Sequence, residues 1–479
     1  MMSVPGARLG VLRLPLLGAF VRWRHARTAA QLPVLALALL VIYDGFFGPQ
    51  LAPKNLAGVL PWLHWRGLVV LALLLVGNLF CLACPFMLTR GLARRLVKQQ
   101  RPWPRALRGK WLAAGLLVLF FWSYEALDLW ASPWLTATLA AAYFVGAFVV
   151  DGLFAGAPFC QYLCPIGQFH FVNALASPAE VKTCDRAICR SCSTKDCLKG
   201  RLVDGRWQSG CQSGLFQERK AGNVDCTFCL DCLHACPHDN VTIAWRLPTS
   251  ELWTDPLRAG VGRLGRRTDL AALALVLVFA SFLNAFGMVA PVYAFERWLA
   301  GLLHTDSEAL VLLLLFIVGL IVLPALLALA AAAASRALSG AKEPLLALAT
   351  RYSYCLVPMG FGMWLAHYGF HFLTGALTIV PVAQSAVADA GLPWFGAPRW
   401  DLGPLVPASW LLGIELLFLE LGLLGSLVAA YRIAGAHLAD HQRARWAFLP
   451  WAILALALSL AGAWLLLQPM EMRGTFLQG

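Results

Sequence analysis

The run "CTFCLDCLHACP" sets Cys226, Cys229 and Cys232 at two-residue gaps and closes on Cys236 and Pro237. Such gaps let three thiolates from one tight loop reach three irons of a cube. The fourth cysteine, on the next helical turn, serves the neighbouring cluster in two-cluster ferredoxins. Zinc motifs seldom place four cysteines in one such run. The partner stretch is less regular, with Cys184, Cys189, Cys192, Cys197 and, farther on, Cys211. Nine thiols therefore stand where two [4Fe–4S] clusters need eight. In one assignment Cys197 and Cys236 exchange between clusters. In another, Cys189, Cys192, Cys197 and Cys211 take one cube and Cys226, Cys229, Cys232 and Cys236 the other. Either way Cys184 or Cys211 is spare. The following "VTIAW" is expected to form a short strand behind the cluster loop.

Two further pairs end apolar runs. "CLACP" carries Cys81 and Cys84, and "CQYLCPIG" carries Cys160 and Cys164. Three readings stand side by side. The four thiolates join at the inner membrane face to bind a metal or a further cluster; they form thiol–disulfide pairs; or each proline stops its helix beside small buried cysteines. Cys355, alone in an apolar run, reads as a core residue.

In the second half, "HYGFHFLTG" puts His367 and His371 on one helix face, and Glu415 and Glu420 lie in the next apolar run. Ionisable groups inside a membrane are costly and mark pathways or ligand sites. These four suit a quinone site with proton transfer. The histidines alternatively suit haem b or metal ligation, with His304 as a further ligand, or plain helix contacts. His437 and His441, in "HLADH" beside arginines, read as an interfacial face.

The elements that must carry these residues follow from composition. Of 479 residues, 59% are hydrophobic and only 13% charged, which excludes an ordinary soluble domain. The net charge of +13 lies between apolar segments rather than on one domain, so the positive-inside rule accounts for it and nucleic acid does not. Nine spans are expected near 31–47, 67–84, 111–128, 135–155, 269–290, 309–334, 352–376, 408–430 and 447–467. The loop after the second holds Arg90, Arg94, Arg95, Lys98, Arg101, Arg105, Arg108 and Lys110 without an acidic residue, and is expected inside. Arg8, Arg13, Arg22, Arg24 and Arg27 precede the first span, which reads as uncleaved. The expected architecture is an all-α polytopic membrane protein with an inserted small α+β two-cluster ferredoxin-like domain. Its parts are an N-terminal membrane domain (1–177), a cytoplasmic ferredoxin-like domain (178–246), a basic linker (247–268) and a C-terminal membrane domain (269–479).

On its two Cys-Pro endings on consecutive hairpins and the cysteine run after them, the chain resembles the membrane-bound polyferredoxins of the NapH, NosR and CcoG type over about residues 31–246. Here the first ending has two residues between its cysteines rather than three, and the first cluster motif lacks its Cys-Pro. The resemblance implies a bacterial-type inner-membrane protein. It would pass electrons between the quinone pool and a respiratory partner, with a cytoplasmic donor or acceptor, or supply electrons for assembling a metalloenzyme. A redox-driven ion transporter subunit is a further reading. No phosphate-binding glycine loop or hydrolytic triad is present in the sequence, so stand-alone catalysis is not expected.

Overall fold

The computed structural model describes residues 15–97 and 100–470; Arg8, Arg13 and Lys98 lie outside them. Among the described residues, eight helices are long and apolar enough to cross a membrane, and Trp111–Ala126 is a ninth, shorter apolar helix. The protein is therefore an all-α, multi-pass membrane protein. By its contacts the chain divides into two compact units. One comprises Met1–Leu37, Ala72–Lys110 and Tyr143–Arg267; the other comprises Ala38–Leu71, Trp111–Ala142 and Thr268–Gly479.

The second span departs from its expected bounds. It runs Leu56–Val76 rather than 67–84. Asn55 starts it as an N-cap, its side-chain oxygen accepting from the Ala57 N–H at 2.8 Å while its amide donates to the Asp44 carbonyl at 2.7 Å. Asp44 adds a bond from the Leu56 N–H at 2.6 Å. Capping satisfies donors that a helix start leaves orphaned. Hydropathy does not register this, because Pro61, His64 and Arg66 dilute the apolar count. The span stops at Gly77, whose φ of +76° is left-handed backbone that a side chain disfavours. Cys81 and Cys84 thus follow the span on the separate short helix Leu79–Ala83 and its C-cap, and do not close the span itself.

Each Cys-Pro ending has one cause and one result. Proline pushes the residue before it out of helical backbone, so Cys84 and Cys164 are extended, at ψ 119° and 111°. The proline then seeds the next helix, where its missing N–H costs nothing: Phe86–Leu96 after Pro85, and Pro165–Asn173 from Pro165.

The polar segment contains two small antiparallel pairs. β1 (Ala179–Thr183) pairs with β4 (Val241–Trp245), and β2 (Arg201–Val203) pairs with β3 (Arg206–Gln208). "VTIAW" forms the expected strand; its partner, "AEVKT", alternates buried and half-buried residues. In the other unit, glycines let helices approach closely. A side chain at Gly362 would meet the Phe418 carbonyl and Gly422, the small-residue contact typical of membrane helices.

Candidate functional site

Eight of the nine thiols in the polar segment separate into two sets of four. Cys189, Cys192, Cys197 and Cys236 line one pocket. Cys232 lies within electrostatic range of Cys211, Cys226 and Cys229. Neither assignment read from the sequence matches. Cys236 exchanges with Cys211, not with Cys197. The β2–β3 hairpin is the reason: it leaves the chain after Cys197 and returns it, the Cys211 N–H donating to the Cys197 carbonyl at 2.9 Å. Cys211 thereby occupies the place that a Cys-Pro would hold in a regular motif. Cys184 is exposed and does not line the pocket.

The loop backbone is bent to present these sulfurs. Phe228 and Leu230, between the motif cysteines, hold φ of +51° and +60°, and Lys195, between Cys192 and Cys197, holds +54°. Such backbone costs on the order of 1–3 kcal/mol per residue and clusters at functional sites. N–H donors point at the sulfurs. Asn240 reaches Cys236 from its backbone at 3.4 Å and Cys189 from its side chain at 3.2 Å, and the Leu215 N–H reaches Cys211 at 3.3 Å. N–H groups aimed at sulfur favour thiolate over thiol.

Two buried lysines and the half-buried Arg27 accompany the second set. Lys220 donates to the Val181 and Gly222 carbonyls, at 2.6 and 2.5 Å, and lies within electrostatic range of Cys211 and Cys232. Lys110, 1% exposed, donates to Asp225 at 2.6 Å and to the Gln161 carbonyl at 2.7 Å. Arg27 reaches both carboxylate oxygens of Asp231 at 2.8 Å. The carboxylates at either end of the 225–231 stretch are thus each pinned by a cation.

The thiols differ in readiness to ionise. Backbone N–H groups of Lys195 and Thr194 hold Cys192 below the ordinary thiol value, whereas burial pushes Cys197 and Cys211 up to about 11. At pH 7 that leaves roughly one in ten thousand of the latter as reactive thiolate. In the iron-free chain, iodoacetamide is expected to modify Cys192 and exposed Cys184 well before Cys197 and Cys211. With iron–sulfur clusters in place, Cys184 alone should remain reactive. Peptide mass mapping reads both orders; protection of Cys184 on loading would overturn the partition.

Among the described residues, no group of three or more His, Cys, Asp or Glu side chains converges as ligands of a single ion do. Ligands of a cube each sit on a different iron and so stand wider apart. The residues fit a cube on donor chemistry: four soft thiols per set, N–H groups aimed at sulfur, and fixed counter-cations.

Cys81, Cys84, Cys160 and Cys164 also come together. Cys81 is within electrostatic range of the other three, and Cys84 of Cys160. Cys355 is fully buried in the apolar interior of the other unit.

The membrane histidines acquire partners that the sequence did not suggest. His367 is 1% exposed, both its ring nitrogens lack a hydrogen-bond partner, and its ring lies 4.8 Å from that of His371. Arg66 lies within electrostatic range of both histidines. Its guanidinium sits over Trp62, Tyr124 and Tyr368 at 4.6, 4.4 and 5.1 Å and donates to the Tyr124 hydroxyl at 3.1 Å. Glu415 is buried on the neighbouring Ala408–His437 helix, and Glu420 accepts from Ser459 at 3.1 Å; Arg66, not Glu420, accompanies the histidines. His304 is an exposed helix cap with left-handed φ. His437 is no plain interfacial residue: its ring bridges Glu343 at 2.5 Å and the Tyr352 hydroxyl at 3.3 Å. No family model, curated protein or solved structure matches the chain.

Proposed function

We propose that the protein is a membrane electron-transfer component. In this reading two [4Fe–4S] clusters are held by Cys189, Cys192, Cys197 and Cys236 and by Cys211, Cys226, Cys229 and Cys232. The observation that carries it is the separation of eight thiols into two sets of four. Such clusters, when bound, carry single electrons at potentials tuned by charge, sulfur hydrogen bonds and exposure. The chain's own residues set those factors. Asn240 and the Leu215 amide donate to sulfur, and Lys220 supplies nearby positive charge. Cys192 and Cys236 are the half-buried members of their set, which suits exchange with a soluble partner.

The membrane carrier in this proposal is a quinone. A headgroup oxygen would find a donor in Arg66 and a proton acceptor in His367, whose unpartnered ring nitrogens supply an orphaned buried polar group that a polar ligand would satisfy.

The test uses anaerobically purified full-length chain. Iron and acid-labile sulfide are expected in equal amounts, and Cys189→Ser and Cys229→Ser should each remove a different paramagnetic signal of the reduced protein. A menadiol-type quinol should reduce the clusters in membranes. Iron-free protein with zinc in its place would overturn the cluster reading. Clusters indifferent to quinol, with metal missing from a partner enzyme after deletion, would instead favour the assembly role.

A further inference from the structure

The four cysteines of the Cys-Pro endings lie outside both sets, and their surroundings are more specific than helix stopping requires. Two come from the Leu79–Cys84 segment and two from Cys160–Cys164, stretches widely separated in sequence but adjacent in one compact unit. Their sulfurs meet donors. The Cys164 thiol caps the Pro165–Asn173 helix, accepting from the Gly167 N–H at 3.3 Å. Cys84 stands at the start of the next helix, where the Met87 N–H donates to its carbonyl at 3.4 Å and the Phe86 and Met87 amides lie within electrostatic range of its sulfur. A helix N-terminus favours negative charge, thiolate included. Gly167 is needed here, because a Cβ at that position would lie 2.8 Å from the Cys160 carbonyl.

The second observation is a buried guanidinium. Arg90 is 5% exposed and pairs through Nε with Asp151 at 2.7 Å. Its Nη2 is turned to the Cys160 sulfur at 3.4 Å. Burying an arginine among apolar side chains is expensive unless charge and hydrogen bonds compensate it. A neutral thiol is a weak acceptor; an anionic sulfur is a strong one. Simple packing of small cysteines gives no reason for the guanidinium to face them.

We propose that Cys81, Cys84, Cys160 and Cys164 hold a third iron–sulfur cluster, with Arg90 as its fixed counter-charge. An all-sulfur donor set suits iron–sulfur chemistry. The placement fits a relay. Cys81 is within electrostatic range of Cys226, and the Asn78 side chain donates to the Cys226 carbonyl at 2.8 Å. The third site thus adjoins the second set, on the segment that follows a membrane span. This inference rests on the iron–sulfur reading above.

The experiment is an iron and acid-labile sulfide count on anaerobically purified full-length protein, wild type beside Cys84→Ser and Cys160→Ser. At four irons per cube, the wild type should hold about twelve and each variant about eight, with the paramagnetic signals of the other two clusters retained. About eight irons in the wild type, unchanged in the variants, would overturn the third cluster and leave the first two intact. Fewer than about eight in the wild type would fail the ferredoxin-type reading itself. Copper or zinc bound in place of the additional iron, and lost in the variants, would overturn the cluster in favour of a mononuclear site. If neither variant is stable enough to purify, the wild-type count and a reductive titration, expected to take up about three electrons rather than two, decide the question alone.

Discussion

Replacing Lys110 with methionine is expected to destabilise the cysteine-rich unit by about 3–5 kcal/mol, the usual result of leaving one member of a buried ion pair without its partner. Both side chains are almost fully enclosed, at 1% and 8% exposure, and 2.6 Å apart. Asp225 immediately precedes Cys226, so its carboxylate fixes where the run of Cys226, Cys229 and Cys232 begins. Without the ammonium it must take up a proton, draw in water or pull the loop open. The Gln161 carbonyl loses one of its two donors in the same change and keeps the Gln168 amide. The measurement is thermal unfolding of the detergent-solubilised chain beside its iron content. Lys110→Met should melt earlier and lose iron from the Cys211, Cys226, Cys229 and Cys232 set first. The double variant Lys110→Met with Asp225→Leu should recover much of the loss, because removing both charges eliminates the stranded anion. Equal damage in the single and double variants would show that the pair acts through shape and not charge.

Several parts of this arrangement were legible in the sequence because they depend on local spacing. Two-residue gaps between Cys226, Cys229 and Cys232 constrain those sulfurs whatever surrounds them, and a proline after Cys84 or Cys164 fixes the preceding backbone by sterics alone. Apolar runs reported the spans for the same reason. The exchange of Cys211 with Cys236 was not legible. It depends on a three-residue strand pair, Arg201–Val203 with Arg206–Gln208, none of whose residues is buried, so it leaves little hydrophobic pattern. The ion pairs of Lys110 and Arg27 join residues more than a hundred positions apart, which no periodicity encodes. Both basic residues read as topology signals among neighbours of like charge; the fold also uses them as clamps. Arg66 was missed for a different reason. A hydropathy window starts the second span after it, whereas the Asn55 cap starts the helix ten residues earlier and carries the arginine into the span. It follows directly on a π-helical stretch, Leu60–Trp65. Such wide turns are frequent at functional sites.

Arg66→Gln is expected to cut quinol-driven reduction of the clusters by on the order of 10- to 100-fold while leaving iron content unchanged. The magnitude follows from losing one hydrogen bond to a charged group, about 1.5–3 kcal/mol, at a step where that bond orients the carrier. A charged side chain within a span is retained only against a penalty of about 2.5–3.5 kcal/mol on insertion scales. Three aromatic faces and the Tyr124 hydroxyl offset part of that for Arg66. Those contacts hold the guanidinium in place without consuming all of its donors, which is what a binding residue requires and a purely structural one does not. His367→Gln should behave differently. Glutamine keeps a polar group at the buried position but cannot exchange a proton there, so binding should persist while turnover falls and its pH dependence flattens. Stopped-flow reduction by menadiol across a pH series separates the two variants: a raised apparent KM for Arg66→Gln, a lowered limiting rate for His367→Gln. A haem Soret band in the wild type, lost in His367→Gln, would reassign the histidines to an iron porphyrin. Unchanged quinol kinetics in both variants would remove the carrier from this site.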